Sequence, residues 1–297
     1  MPCFHPLDAW KTSDGQILFY ESRHHDIVSP LKLPCGQCVG CRLERSRQWA
    51  VRCVHESKLH SESSFITLTY DDDHLPRNGS LNYADFQKFI KRLRKRLGRF
   101  RFYMCGEYGE DFDRAHFHAC IFGTSFPDRT LWKKTPSGSI LYRSRLLESC
   151  WPFGFSSVGE FSFESAAYVA RYCMKKVTGV ASQSHYEIVD DCTGEIISRT
   201  PEFTRMSLKP GIGGGWIDKY HSDVFPVDFV VMNGVEASVP KYYSRRFEKS
   251  NPMEFLPVRI AREFEAFSNA YDSTPARLAV REQVTQARLS SFHRSLK

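Results

Sequence analysis

No stretch of this sequence reaches the roughly 18–20 consecutive apolar residues that a membrane span needs. The first residues, MPCFHPLDAWKTSDG, lack the charged start and the apolar stretch of a signal peptide. We find no internal repeat and no Walker-type phosphate loop, so we expect no built-in helicase. These absences predict a protein without a membrane partner.

Cysteine is plentiful, but its ten residues are spread over a chain of 297. Without a secretion signal, free thiols or a metal site in a reducing cytoplasm is a better interpretation than a disulfide framework. Hydrophobic residues make up 41% and aromatic residues 14%, which is enough for a real core. The net charge of +7 suits a polyanionic partner without identifying one.

The middle of the chain predicts a β–α–β–β–α order. A strand is expected at 65–70, a helix at 83–98 begun by Asn82 or Asp85 and ended by Gly98, a hairpin of 99–110 and 115–123, and a helix at 163–177. This order predicts an α+β fold, with an antiparallel sheet and helices packed on one face. The glycine-rich run at 211–216 is the best candidate for a flexible loop.

His116 and His118 flank Phe117 in the second strand of the hairpin. Because side chains alternate along a strand, both imidazoles lie on one face and Phe117 on the other. An isolated His-x-His can be a solvated strand face, but Glu107 on the partner strand can add a carboxylate. Two nitrogens and one oxygen suit Mg²⁺ or Mn²⁺. Glu110, in the turn, ranks lower.

Tyr168 and Tyr172 stand four residues apart in the helix 163–177, and Lys175 shares their face. Tyrosines at helical spacing are usually half-buried packing residues. Here two phenols and an ammonium group all face away from the apolar stripe, which is unusual for packing. Next to a bound metal, a phenol can attack a phosphodiester. A second phenol on the same face makes cyclic cutting and joining plausible.

The motifs FITLTY (65–70), GEYGE and RAHFH (106–118) and YVARYCMKK (168–176) resemble those of the HUH endonucleases. They look most like the replication initiators of microviruses in the gokushovirus branch, which CGQCVGCR (35–42) also resembles. Motif order disfavours a conjugative relaxase, where tyrosines come first. The similarity covers about residues 1–180. Where the family often has Gly-x-Pro, this chain has Asp113-Arg114-Ala115, which we expect to alter the turn and not the ligands.

The resemblance implies a role for each matching position. His116, His118 and Glu107 would bind the metal, Tyr168 and Tyr172 would be alternating nucleophiles, and Lys175 would assist. It also implies a five-stranded antiparallel sheet of the RNA-recognition type. The activity would be site-specific nicking of the viral origin through a 5′-phosphotyrosine, to start and end rolling-circle replication. Single-stranded DNA, a host helicase and a host DNA polymerase would be the partners, in the host bacterial cytoplasm.

Residues 88–101 hold eight Lys or Arg residues. They could form a solvated helix face or follow the backbone of single-stranded DNA, giving affinity without sequence choice. The candidate DNA contacts are Lys88, Lys91, Arg92, Arg94, Lys95 and Arg96.

Cys35, Cys38 and Cys41 have two metal-ligand spacings in tandem, and Cys3 can supply a fourth thiolate. The alternatives are a structural Zn²⁺ site and a set of unliganded thiols. We therefore predict a Cys-rich, helical N-terminal extension at 1–60, a nickase core at 61–180 and an accessory region at 181–297. The alternative function is a non-enzymatic, zinc-containing protein that binds single-stranded DNA. The H-x-E…P-C-x-x-C pattern of a zinc deaminase is absent.

Overall fold

A computed structural model describes residues 3–21, 26–109, 113–135, 138–175, 181–189 and 193–293. The helices are α1 Val39–Ser57, α2 Tyr83–Leu97, α3 Arg145–Cys150, α4 Phe163–Lys175, α5 Ala181–Tyr186, α6 Gly214–Tyr220, α7 Lys241–Ser250, α8 Pro252–Ser268 and α9 Pro275–His293. The strands are β1 Leu7–Thr12, β2 Ile17–Leu18, β3 Ile27–Leu33, β4 Ser63–Tyr70, β5 Arg101–Tyr108, β6 Ala115–Phe122, β7 Thr130–Lys134, β8 Ile140–Arg143, β9 Gly154–Glu160, β10 Glu187–Val189, β11 Ile196–Ser198, β12 Phe203–Met206, β13 Phe229–Met232 and β14 Val235–Ser238. Of the helices in these ranges, none has the length and apolarity that a bilayer crossing requires.

The chain divides into two compact units. The central unit is formed by residues 46–258, and the terminal unit by residues 1–45 together with 259–297. The terminal unit holds the three-stranded sheet β2-β1-β3 and helix α9. The central unit holds a seven-stranded antiparallel sheet in the order β12-β5-β6-β4-β9-β8-β7.

This sheet confirms the predicted α+β class and corrects the number of strands. The expected number of five strands was wrong, because the sheet has seven. Its relation to the RNA-recognition type stays a prediction. The hairpin β7–β8 extends one edge of the sheet. Strand β7 is exposed along its whole length, so its sequence lacks the apolar alternation that predicts a strand. Strand β12 pairs with β5 at the other edge, so a segment from beyond residue 180 completes the sheet.

The prediction that helices cover one face was also wrong. On one face, Ile66, Leu68 and Phe117 pack with α2 and α3 in an aromatic-rich core. On the other face, Cys105 and Cys120 pack with α4 and the end of α1. The central strands β5 and β6 are buried on both sides, so their second face needs an apolar cover of its own.

The predicted helix at 83–98 begins and ends where its capping residues indicate. The Asn82 side chain accepts a hydrogen bond from the Ala84 amide, and Gly98 ends the helix at φ +79°. Phe86, Phe89 and Leu93 are fully buried, which is the apolar stripe that the sequence predicts.

The glycine-rich run at 211–216 does not form the flexible loop that its composition predicts. Gly213 takes φ +75° and starts α6, and its amide donates a 2.6 Å hydrogen bond to the buried Glu56 carboxylate. A Cβ atom on Gly213 would lie 2.4 Å from the Tyr243 hydroxyl oxygen. Close packing thus requires glycine at position 213, because no larger side chain fits there.

Candidate metal centre and DNA interface

The β5–β6 hairpin brings the three predicted metal ligands together. In its register Glu107 lies opposite His116, and Cys105 lies opposite His118, so all four side chains share one face. The Glu107 Oε1 atom lies 2.6 Å from His116 Nε2 and 2.9 Å from His118 Nε2. Phe117 points to the opposite face and is fully buried there. Alternation along the strand and pairing across the hairpin therefore place the ligands where the sequence predicts.

The Nδ1 atom of each imidazole forms a hydrogen bond that orients the ring. His116 Nδ1 lies 2.9 Å from the carbonyl oxygen of Arg114 and donates to it, which leaves Nε2 as the ligating nitrogen. His118 Nδ1 lies 2.9 Å from the hydroxyl oxygen of Thr67 on β4. Such hydrogen bonds orient metal-binding histidines. Thr67 thus orients the second histidine from the neighbouring strand β4.

Asp113 and Arg114 fix the chain where it leads into β6. Asp113 adopts φ +48°, and its carboxylate pairs with Arg199. The Gly109 amide donates a 3.0 Å hydrogen bond to the Arg114 carbonyl oxygen, which closes the turn. His116 Nδ1 donates its hydrogen bond to the Arg114 carbonyl oxygen of this same turn. This segment thus orients the first histidine of the pair, while its difference from the family's turn stays a prediction.

Glu107 is charged at neutral pH although only 2% of its side chain is exposed. Burial opposes its ionisation, but hydrogen bonds from His116 and His118 outweigh burial and hold the pKa of Glu107 below its usual range. Its Oε2 atom is buried and has no hydrogen-bond partner among the described residues. The three ligand atoms lie within 4.8 Å of one another. A buried carboxylate with a free oxygen beside two oriented imidazoles fits a divalent cation.

Tyr168 lies next to this cluster. Helix α4 packs on the sheet through Ala166, Val169 and Ala170, which are completely buried, and this packing turns Tyr168 toward the histidines. The centre of the Tyr168 ring is 5.1 Å from the centre of the His118 ring and 38% of the residue is exposed. The phenol is thus both beside the cluster and open to a ligand.

The backbone of α4 extends through Tyr172 and Lys175, as predicted. The side chains of these two residues lie outside the described part of the structure, and so does residue 110.

Phe155 is a site residue that the sequence did not indicate. The pairing register runs across four strands from Glu107 to His116, then to Thr69 and to Phe155, so these four side chains share one face. At about 4.8 Å per strand, Phe155 lies roughly 10 Å from His116. It is 60% exposed. An aromatic residue on the strand GFSSVGE is ordinary in sequence, and only the register shows that it faces the histidines.

The structure does not bring the predicted DNA-binding residues to the histidine face. Helix α2, which carries Lys88, Lys91, Arg92, Arg94, Lys95 and Arg96, packs on the opposite face of the sheet. Arg92 donates a 2.7 Å hydrogen bond to the Cys150 carbonyl oxygen, and Arg94 donates one of 3.2 Å to that of Phe100. A role of this surface in binding DNA stays a prediction.

The four N-terminal cysteines form a second cluster, in the terminal unit. Their sulfur atoms lie within 4.8 Å of one another, and all four residues are free of disulfides. Burial opposes ionisation of Cys38, but hydrogen bonds from the backbone of Phe4 and from Cys41 outweigh it and lower the pKa of Cys38 to about 7. Burial raises the pKa of Cys3.

Comparison with known proteins adds independent information. Residues 63–177 match the model of the family described as replication-associated protein ORF2/G2P. Replication-associated protein VP4 of Bdellovibrio phage phiMH2K is 32% identical over 267 residues, which cover 86% of this chain and 80% of that protein. Replication-associated protein ORF2 of Spiroplasma virus 4 is 33% identical over 257 residues, covering 82% and 76%. No solved structure matches the chain significantly. The matched family region contains both histidines and Tyr168, and the chain belongs to the replication-associated proteins of small phages.

Proposed function

We propose that this protein is an HUH endonuclease of the gokushovirus-like type, which nicks the viral origin to start and end rolling-circle replication. The observation that carries the proposal is the cluster of Glu107, His116 and His118, with the Tyr168 ring 5.1 Å from His118 on the same face. Membership in a family of phage replication-associated proteins supports a substrate of viral single-stranded DNA.

Glu107 and the Nε2 atoms of His116 and His118 would hold a Mg²⁺ or Mn²⁺ ion. When bound, such an ion polarises the scissile phosphate and stabilises the charge that develops during its displacement. The chain itself fixes the geometry of the three ligands. Thr67 and the Arg114 carbonyl oxygen orient the rings, and the buried hairpin holds the carboxylate between them.

Tyr168 is the nucleophile in this proposal. Its phenolic oxygen forms a bond to phosphorus, and the bond between phosphorus and the 3′ oxygen breaks. The phenol proton passes to solvent, and the departing 3′ oxygen takes up a proton to become a hydroxyl. The phosphotyrosine ester conserves the energy of the phosphodiester, so the 3′ hydroxyl of another end can attack it and restore a DNA strand.

Tyr172 and Lys175 complete this scheme as the sequence predicts it. Tyr172 would attack the regenerated junction while Tyr168 holds the 5′ end, and Lys175 would neutralise charge on phosphate or phenolate. The free 3′ hydroxyl would be extended by a host DNA polymerase, with a host helicase, in the host bacterial cytoplasm.

The DNA path proposed here follows the histidine face of the sheet. Phe155 offers an exposed ring on this face, and bases of any kind stack on aromatic rings. At roughly 10 Å from His116, this ring would stack a base close to the scissile phosphate.

The proposal is tested by incubating the protein with circular single-stranded DNA that carries the viral origin, in Mn²⁺ or Mg²⁺. We expect a protein–DNA adduct that survives denaturation and is absent when EDTA is added before the DNA. Tyr168→Phe with Tyr172→Phe should abolish it, and the two single variants should identify which tyrosine attacks first. Tyr271→Phe, which changes an exposed tyrosine of the terminal unit, is the matched control and should leave the adduct unchanged.

An adduct that persists in the double variant would refute the tyrosine mechanism. Tight DNA binding without any adduct, under all metal conditions, would favour the non-enzymatic alternative.

A further inference from the structure

The terminal unit has little apolar material inside it. Among its described residues, the buried apolar side chains are those of Cys3, Phe4, Ala9, Cys41 and Leu278. Two of these five are thiols of the cysteine cluster. A unit of roughly 80 residues with so small a core needs a disulfide, a metal or another covalent or coordinate link to be stable.

The four thiols have the spacing of ligands around one ion. Their sulfurs all lie within 4.8 Å of one another, and the sulfurs of Cys3 and Cys38 are 4.0 Å apart. Zinc–sulfur bonds of about 2.3 Å place the corners of a tetrahedron about 3.8 Å apart. A disulfide requires about 2.05 Å. The arrangement is therefore too open for disulfides and close to that of a single tetrahedral centre.

Backbone amides point at the sulfurs. The amide of Phe4 donates to Cys38 Sγ at 3.4 Å, that of Cys35 to Cys3 Sγ at 3.2 Å, and that of Cys38 to Cys35 Sγ at 3.3 Å. Such bonds stabilise negative charge on sulfur, which a metal-bound thiolate carries. Cys41 lies in the first turn of α1, where the helix dipole also favours an anion. Three of the four sulfurs thus accept a backbone hydrogen bond, and the fourth lies at the start of a helix.

We propose that Cys3, Cys35, Cys38 and Cys41 bind one structural Zn²⁺ ion that replaces a hydrophobic core in the terminal unit. Four soft sulfur ligands select zinc over Mg²⁺ and Mn²⁺, which prefer the harder donor set at Glu107 and the histidines. A site closed by four protein ligands leaves no position for a substrate, so its role is in folding. The protein would then carry two metal sites that take different metals for different purposes.

The zinc site also holds the contact between the two segments of this unit. Residues Phe4 and His5 follow Cys3 directly, and Phe4 is buried. His5 Nε2 lies 2.8 Å from the Glu282 carboxylate on α9. Fixing Cys3 to the start of α1 fixes His5 opposite Glu282. Loss of zinc should therefore loosen α9 as well as residues 1–45.

The first test is metal analysis of the full-length protein, purified without added chelator. We expect one zinc per chain in the wild type and in the His116→Ala/His118→Ala variant, which excludes zinc held at the histidine cluster. Cys38→Ser should lose the zinc. Cys38→His should keep it, because three cysteines and one histidine also form a tetrahedral zinc site. Cys150→Ala, which changes a buried cysteine of the central unit, is the matched control and should keep it.

A wild-type protein whose metal is iron, or whose four cysteines are found as disulfides by mass spectrometry, would overturn the proposal. Equal zinc content in Cys38→Ser and the wild type would also overturn it.

The second test is hydrogen–deuterium exchange of the wild type and Cys38→Ser, each compared with its own chelated sample. In the wild type, chelation should speed exchange in peptides from 26–45 and 275–291, and leave β5 and β6 unchanged. Cys38→Ser should exchange fast in these peptides from the start, with no further response to chelator. Unchanged protection of α9 after complete zinc removal would refute the claim that zinc maintains its contact.

Discussion

The two units of this protein are built on different physical principles. The central unit buries Trp151, Tyr70, Phe86, Phe89 and Phe117, and its sheet carries apolar packing on both faces. The terminal unit buries five apolar side chains among its described residues, while Phe264, Phe267 and Phe19 remain exposed. The buried apolar area is large enough to stabilise the central unit, but too small by itself to stabilise the terminal unit. The candidate catalytic residues therefore belong to the unit that has a large apolar core, and not to the unit that contains the N-terminal cysteine cluster.

The largest contrast is expected from adding one methyl group to a glycine in each unit. Gly213 and Gly15 both have positive φ, which costs a larger residue about 1–2 kcal/mol. At Gly213 the added Cβ would also meet the buried Tyr243 hydroxyl at 2.4 Å, whereas nothing lies within 4 Å at Gly15. We expect Gly213→Ala to destabilise the central unit by about 3 kcal/mol or more. Gly15→Ala should destabilise the terminal unit only by the cost of positive φ, about 1–2 kcal/mol. Hydrogen–deuterium exchange measures the two units separately.

Equal losses at the two glycines would show that close packing around Gly213 adds nothing to backbone strain. A mobile loop at 211–216, as composition suggests, would give that result.

Acid should weaken the central unit through His55. Its ring is stacked 3.6 Å from Trp216, and burial, with a smaller contribution from the charge of Lys58, lowers the pKa of His55 to about 3. The folded protein keeps His55 neutral, while the unfolded chain takes up a proton below about pH 6.5. This contribution to stability is complete above pH 6.5 and is lost progressively toward pH 3. At pH 5 the loss is about 2 kcal/mol.

His55→Phe should remove this pH dependence while keeping a ring against Trp216. We would measure urea unfolding of both proteins between pH 7.5 and pH 5 and compare the change in free energy. Parallel curves for the wild type and His55→Phe would contradict the assignment of the slope to His55.

The smallest effect is expected on DNA affinity, where exposed aromatic rings of the two units can be compared. Phe155→Ala should weaken binding of a short single-stranded origin oligonucleotide by about tenfold, since one stacked base contributes roughly 1–3 kcal/mol. Phe155→Trp should preserve affinity. Phe267→Ala, which removes an 81% exposed ring from the terminal unit, should leave DNA affinity unchanged.

Fluorescence anisotropy in EDTA separates binding from cleavage. Equal weakening by Phe155→Ala and Phe267→Ala would indicate a general loss of apolar surface and not a base contact.

The hairpin that carries the candidate ligands could be predicted because two local rules fix it. Alternation along a strand sets the face of His116 and His118, and short-range antiparallel pairing sets Glu107 beside them. Both rules need only the residues between 101 and 122. The apolar stripe of α4 shows that Tyr168 faces away from the helix's buried side, but the side of the sheet that α4 covers comes from the structure.

What could not be predicted depends on residues far apart in the chain. The sequence shows that α2 has an apolar face but not which side of the sheet that face covers, so its basic residues could not be placed relative to the histidines. Strand β12 joins the sheet from about a hundred residues away from β5. The run 211–216 has loop composition, yet Glu56 and Tyr243 make it a packed segment. One feature could have been predicted: the nearly continuous apolar runs of β5 and β6 indicate strands that are packed on both faces of the sheet.

The division of the terminal unit between residues 1–45 and 259–297 has a consequence for synthesis. Translation at about 5–20 residues per second leaves roughly ten to forty seconds between the appearance of the first segment and that of the second. During that interval residues 1–45 lack helix α9, whereas the seven-stranded sheet is already complete once residue 206 has emerged. The sheet that carries the candidate ligands can therefore be folded, and its histidines aligned, while the ribosome is still making the segment that the first 45 residues need.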